Sequence, residues 1–201
     1  MDKFSFFFAF YGLILGLAVS ELLGGFASFV RQCALRQMKA QTALLALFTF
    51  VAICATWIDA WGSLQTVTLD FSGLWAPILL ATAYYLAASV VFPSDPADYD
   101  RLDAYFAERK RFVIAMLLVA ELLVSFTFRN VFVDAATHRP AEFWLWLLPY
   151  NLAIVATLIA LWLVGDRRWN IGLLVLQILL FLVPYWEKGW FRTTIARHYG
   201  Y

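Results

Sequence analysis

Glu21 and Glu121 are the residues of this chain best placed to do chemistry, because each is a carboxylate set deep inside a long apolar run. They occupy matching frames. Residues 18–26 read Ala-Val-Ser-Glu-Leu-Leu-Gly-Gly-Phe and residues 118–126 read Leu-Val-Ala-Glu-Leu-Leu-Val-Ser-Phe. Acids within membrane segments are costly, and they usually mark function. A carboxyl group in a low-dielectric interior favours its neutral, proton-carrying form. Such a group can relay protons, bind a cation, or act as polar glue by hydrogen-bonding a neighbouring helix. Tyr84, Tyr85 and Gln177 are further polar groups at mid-run that would line a cavity with the glutamates, although paired aromatics are commonly packing.

Asp59 and Arg129 form a second candidate pair. Each lies a similar distance past the centre of its own apolar run, and the two runs point the same way, so both side chains reach a similar depth. Pairing would reduce the desolvation penalty of each, which makes a structural ion pair the first expectation. Separate snorkelling to the membrane surface is the alternative. Small residues recur at four-residue spacing along the first run, at Gly12, Gly16, Ser20, Gly24 and Ser28. This is a small-xxx-small face that lets another helix approach closely. Glu21 borders it, about 60° around the helix from Gly24.

The elements that must position these residues are apolar helices. The chain has 201 residues, of which 63% are hydrophobic and 14% charged, against about 25% charged in ordinary soluble domains. Mean hydropathy is +0.75. Six runs are long enough to cross roughly 30 Å of hydrocarbon, at residues 4–30, 42–64, 73–92, 112–132, 143–163 and 169–186. The first is too long for the core of a secretion signal and is read as a retained helix. The expected fold is therefore all-α, a polytopic bundle of six transmembrane helices in one domain covering residues 1–201.

A short amphipathic helix is expected around 96–111. Asp95-Pro96-Ala97-Asp98 supplies a capping acid, a proline at the first helical position and an acid for the positive helix end. Tyr99, Leu102, Tyr105 and Phe106 follow at helical spacing, which fits an interfacial helix leading into the fourth run.

The glutamate frames suggest an internal duplication. Residues 51–58 resemble 152–159, and Trp61 meets Trp162 at the same offset. Repeat one would span about 4–92 and repeat two about 112–190. Three spans are an odd number, so the halves would enter the membrane from opposite sides, as in the inverted repeats of many transporters. Loops one, three and five hold nine lysines and arginines, and the opposite side holds five. That bias favours both termini outside the cytoplasm.

The residue types also exclude much. A net charge of +1 offers nothing for nucleic acid. Cys33 and Cys54 are too few and too far apart in setting for a disulfide framework. His138 and His198 lie outside the runs, and no lysine falls at a run centre, so a bis-histidine haem and a retinal Schiff base are not expected. No zinc-protease, nucleotide-binding or potassium-filter motif occurs. The expectation is no metal, no cofactor and no enzyme.

Residues 84–93, Tyr-Tyr-Leu-Ala-Ala-Ser-Val-Val-Phe-Pro, followed by Asp100-Arg101-Leu102-Asp103-Ala104-Tyr105-Phe106 and Arg109-Lys110-Arg111, resemble a family of small bacterial polytopic inner-membrane proteins. The opening segment 11–21 is similar to the first span of that family. The resemblance covers about half the chain and implies a bacterial inner membrane. It carries no activity and no site residues.

Two functions fit. One is a small transporter or channel, as a homo-oligomer, in which Glu21 and Glu121 bind a proton, a cation or a small cationic solute near the midplane. The other is a non-catalytic subunit or scaffold whose Gly/Ser stripe and aromatic faces bind a partner protein, a lipid or a pigment.

Overall fold

The computed structural model describes residues 3–32, 38–63, 71–127 and 129–185. Among them the regular structure is helical, without strands. Seven helices follow in order: α1 (Lys3–Gln32), α2 (Ala40–Ser63), α3 (Phe71–Ser89), α4 (Leu102–Thr127), α5 (Arg129–His138), α6 (Pro140–Leu163) and α7 (Arg167–Leu182). Three segments are long and apolar enough to cross a membrane: Phe7–Arg31, Ala40–Trp61 and Pro140–Leu163. The Trp75–Ser89 stretch of α3 is apolar but shorter. Leu13, Leu17, Leu122, Trp144, Leu145 and Leu152 point outward, and such a large apolar exterior suits lipid rather than water.

Helix α2 is the centre of the bundle and touches α1, α3, α4 and α7. Around it α3 lies along both α1 and α4, and α6 packs on α4 and α7. The inward face of α1 is Phe7, Tyr11, Leu15, Ala18, Leu22 and Phe29, all buried, and the three- and four-residue steps are those of one helix face. Buried Ala76, Ala81, Ala83, Ala87 and Ala88 keep α3 thin where it is clamped between two neighbours. The closest approach is at Gly25, where an added Cβ would stand 2.9 Å from Cβ of Phe92.

The helix neighbours differ between the halves. In the first, α1 lies along α3; in the second, α4 packs on α6, and its contact with α7 is marginal at most. Helix α4 is described as far as Thr127, and α5 carries the polar sequence Arg129–His138. At its end His138 Nδ1 is 3.1 Å from Asp134 Oδ1, and Arg139 bonds Glu142 at 3.0 Å. In α6 a π-helical turn, Phe143–Leu147, precedes Pro149. Proline has no N–H and crowds the carbonyl four residues back, and a wider turn relieves both conflicts.

Residues 96–111 are not a separate surface helix. Pro96–Arg101 form a 3-10 turn, capped by Asp95 Oδ1 accepting from the Ala97 N–H at 2.9 Å, and the chain runs straight into α4. Its apolar side packs inward: Tyr99, Leu102, Tyr105 and Phe106 are buried. The physical reason lies in the turn that follows α3, whose carbonyls have no helical partner. Tyr99 donates to Pro93 O at 3.2 Å, and the Tyr105 hydroxyl reaches Val90 O at 3.0 Å and Phe92 O at 3.2 Å.

Candidate functional site

Glu121 lies on the inward face of α4 and is 6% exposed. Ala120 and Leu117 share that face and are buried with it. The acid whose field reaches Glu121 is Asp59, near the end of α2. Asp59 is exposed, and the Tyr185 hydroxyl hydrogen-bonds its carboxylate. The same hydroxyl is 3.1 Å from Ala55 O, so Tyr185 bridges the acid and the backbone one turn before it.

Tyrosines from four elements feel the field of one or both acids. Tyr11 of α1, Tyr84 of α3, Tyr150 of α6 and Tyr185 after α7 all stand within electrostatic reach of Asp59. Tyr84 and Tyr150 also lie within reach of Glu121. Tyr84 shares a hydrogen bond of 2.8 Å with Thr56 Oγ1, and Tyr150 donates to Leu180 O at 2.7 Å. Every apolar helix except α7 thus contributes a polar side chain, and α7 is joined through Tyr185, just beyond its end. Two carboxyl groups within electrostatic reach of each other repel when both are ionised. One proton or one cation between them removes that repulsion.

The other expected site residues fall elsewhere. Glu21 is exposed, about 80° around α1 from buried Tyr11 and about 100° from buried Leu22. Tyr85, 37% exposed, points away from Tyr84. Gln177 is fully buried and used up within the α6–α7 contact, where its Nε2 donates to Ile154 O at 3.3 Å and its Oε1 accepts from the Thr157 hydroxyl. The Arg129 side chain lies outside the described residues, as do Cys33, His198 and the residues beyond 185. The small-residue stripe divides. An added Cβ at Gly12 would meet Trp57 Nε1 at 3.2 Å, whereas Gly16 and Gly24 have nothing within 4 Å. Ser20 is exposed beside them, and Ser28 Oγ accepts from Arg31 Nη2 at 3.0 Å.

Compared with known proteins, the chain matches no family model, no curated protein and no solved structure. Among the described residues no group of three or more His, Cys, Asp or Glu is placed to hold a metal ion.

Sequence reasoning singled out Asp59 and Glu121 but assigned each to a different partner. It passed over Tyr11, Thr56, Tyr150 and Tyr185. One signal was present for Thr56: it precedes Asp59 by three residues, which places both on one face of α2. Lys110 was also read only as a boundary charge. It is buried, with Nζ donating to Val164 O and, at 3.1 Å, to Asn170 Oδ1. Burial pushes its pKa down, and neighbouring Arg111 adds to the effect. This lysine fastens the loop end of α4 to the turn between α6 and α7.

Proposed function

We propose that the protein is a small integral membrane transporter or channel for a proton, a cation or a small cationic solute, and that Glu121 and Asp59 carry the ion. In this reading all six apolar helices cross a bacterial inner membrane with both termini on the periplasmic side. No enzymatic reaction enters it. The observation that carries the proposal is the buried Glu121 within electrostatic reach of Asp59 and of the Tyr84 and Tyr150 hydroxyls, which come from three other helices. A purely structural glutamate needs one hydrogen-bond partner, whereas a transfer site needs several exchangeable groups converging from different helices. The inverted 3+3 repeat enters as an ancestry of α1 and α4, since the surroundings of Glu21 and Glu121 differ.

The test is flux in proteoliposomes bearing an interior pH dye, with sodium or potassium gradients as separate arms. Glu121→Gln and Asp59→Asn are expected to lose flux while the protein still folds, and Glu21→Gln to retain it. Normal flux in Glu121→Gln sinks the mechanism.

A second reading has its own observation. Gly16, Ser20, Glu21 and Gly24 lie together on the outer face of α1 with open space beside the glycines. A carboxylate at that depth facing lipid is unfavourable, and a helix of a second copy or of a membrane partner would cover it. The protein would then be a homo-oligomer or a non-catalytic subunit that binds a partner, a lipid or a pigment. Cross-linking between cysteines placed at Gly16 and Gly24 tests the oligomer directly.

A further inference from the structure

Three charged side chains of α4 tie its first turns to the end of the α6–α7 hairpin. Lys110 Nζ donates to Val164 O and, at 3.1 Å, to Asn170 Oδ1. Asp103 Oδ2 lies 3.8 Å from Arg167 Nη1, and the Arg111 guanidinium sits 5.9 Å from the centre of the Trp162 ring. Behind these ties the backbones of α4 and α7 are barely in contact. The wider packing divides along the same line: α3 joins α1 to α4, while α7 packs on α2. The seam between α4 and α7 is thus closed by side-chain bonds rather than by packed apolar helix surface.

This seam separates Glu121 from one end of the bundle. Glu121 follows Lys110 by eleven residues, about 16 Å along the helix, or roughly half the hydrocarbon thickness. Val113, Ile114, Leu117 and Ala120 fill that stretch and are all buried. At the other end Asp59 is exposed. Helices α2 and α7 run parallel, since Phe48 packs on Phe181 and Ala55 O accepts from Tyr185, so α2 begins toward the Lys110 end. There Thr42 Oγ1 is buried and, among the described residues, has no hydrogen-bond partner. A buried hydroxyl left unpaired is destabilising, and water entering at this end would answer it. We propose that the seam between α4 and the α6–α7 hairpin is a gate, shut in this structure by Lys110, through which the acid pair exchanges its ion with the side bearing loops three and five. The gate rests on the reading of Glu121 and Asp59 as a transfer site, and that side is the cytoplasm in the same reading.

Lys110 has the chemistry of a reversible tie. Its acceptors are a carbonyl and an amide, both neutral, so exchanging them for water leaves no buried carboxylate behind. A lysine at the edge of the hydrocarbon can also carry its ammonium into water on its long stem. The outer pair, Asp103 and Arg167, is exposed, and such pairs hold weakly. One buried lysine therefore governs whether the seam stays shut.

Leu117→Cys places a thiol on the buried face of α4 between Lys110 and Glu121. Its labelling by a membrane-impermeant maleimide, located by peptide mass spectrometry, is followed in inside-out and in right-side-out vesicles. Adding Lys110→Met is expected to raise the labelling rate about tenfold from the cytoplasmic face and to leave the periplasmic rate unchanged. A rise from both faces would make Lys110 a general support of the bundle and overturn the gate, as would no rise from either. Should Lys110→Met fail to fold, Asp103→Cys/Arg167→Cys decides, because both side chains are exposed. A short cleavable cross-linker between those two positions is expected to stop flux in proteoliposomes and reductant to restore it, with the wild type unaffected by the same treatment. Flux that continues through the cross-link, or that reductant does not restore, overturns the proposal. Labelling does not depend on flux, so a one-sided rise in a protein that carries no ion would defeat the transfer site and leave the closure standing.

Discussion

The Tyr84 hydroxyl of α3 and Thr56 Oγ1 of α2 lie 2.8 Å apart, and Asp59 follows Thr56 by one turn of the same helix. This bond joins the central helix to the one clamped beside it, at the floor of the acid pair. Tyr84→Phe or Thr56→Val alone leaves a buried hydroxyl without its mate, with an expected loss of roughly 1–3 kcal/mol. The double variant is expected to lose less than the sum. Thermal unfolding in detergent measures this cycle, and strict additivity would show that the bond contributes nothing.

Glu121→Gln keeps the size and hydrogen-bonding capacity of the side chain and removes its repulsion with Asp59. Stability is expected to hold or rise. A fall of more than about 1 kcal/mol, typical of a damaging single substitution, would mean that Glu121 is held by a cation rather than opposed by an acid.

Lys110→Met is expected to destabilise by about 1–3 kcal/mol, because Asn170 Oδ1 and Val164 O lose a buried donor. The wild type should also show a distinctive pH dependence. With its pKa pushed down by burial, Lys110 binds a proton less tightly in the folded protein than in the unfolded chain. The associated stability is complete above the ordinary lysine value of 10.5 and is lost as pH falls through the lower folded value. Unfolding followed from neutral to alkaline pH should show this rise in the wild type and not in Lys110→Met.

Gly25→Ala places a methyl 2.9 Å from Cβ of Phe92, and overpacking of this kind costs about 1–3 kcal/mol. Gly16→Ala and Gly24→Ala meet nothing within 4 Å and are expected to leave monomer stability unchanged. A change in oligomeric state on Gly16→Leu would assign that face to a partner helix, and an unchanged state would assign it to lipid.

Tyr105→Phe removes the donor within reach of Val90 O and Phe92 O. Amide exchange in the last turn of α3 is expected to accelerate, with α1 and α2 unaffected. Uniform acceleration would instead show that Tyr105 supports the whole bundle.

The helical class and its apolar character were legible because long hydrophobic runs leave no other regular structure at membrane depth. The capping of the Ala97 N–H by Asp95 was legible for a similar reason: such a cap is local chemistry, complete within three residues. The pairing of acids was not. Glu21 and Glu121 share a frame, but a frame does not state which side of a helix is inward. That side is set for α1 by Tyr11 and Leu22, and for α4 by Leu117 and Ala120. Likewise Tyr99, Leu102, Tyr105 and Phe106 form a stripe that suits a membrane surface as well as the end of α3. Only the unpaired carbonyls of Val90, Phe92 and Pro93 distinguish the two, and these appear once α3 has been placed.

The Lys110 contact has a bearing on how the protein is made. Val164 leaves the ribosome 54 residues after Lys110. Through that interval α1, α3 and α4 can already gather, because α3 touches both of its neighbours without help from later segments. The lysine cannot be matched, and the side of α2 that receives α7 cannot be covered, until the final hairpin arrives. A nascent chain arrested before residue 164 would lack α7 alone among the helices, leaving the central helix open on that side and the lysine at its edge without an acceptor.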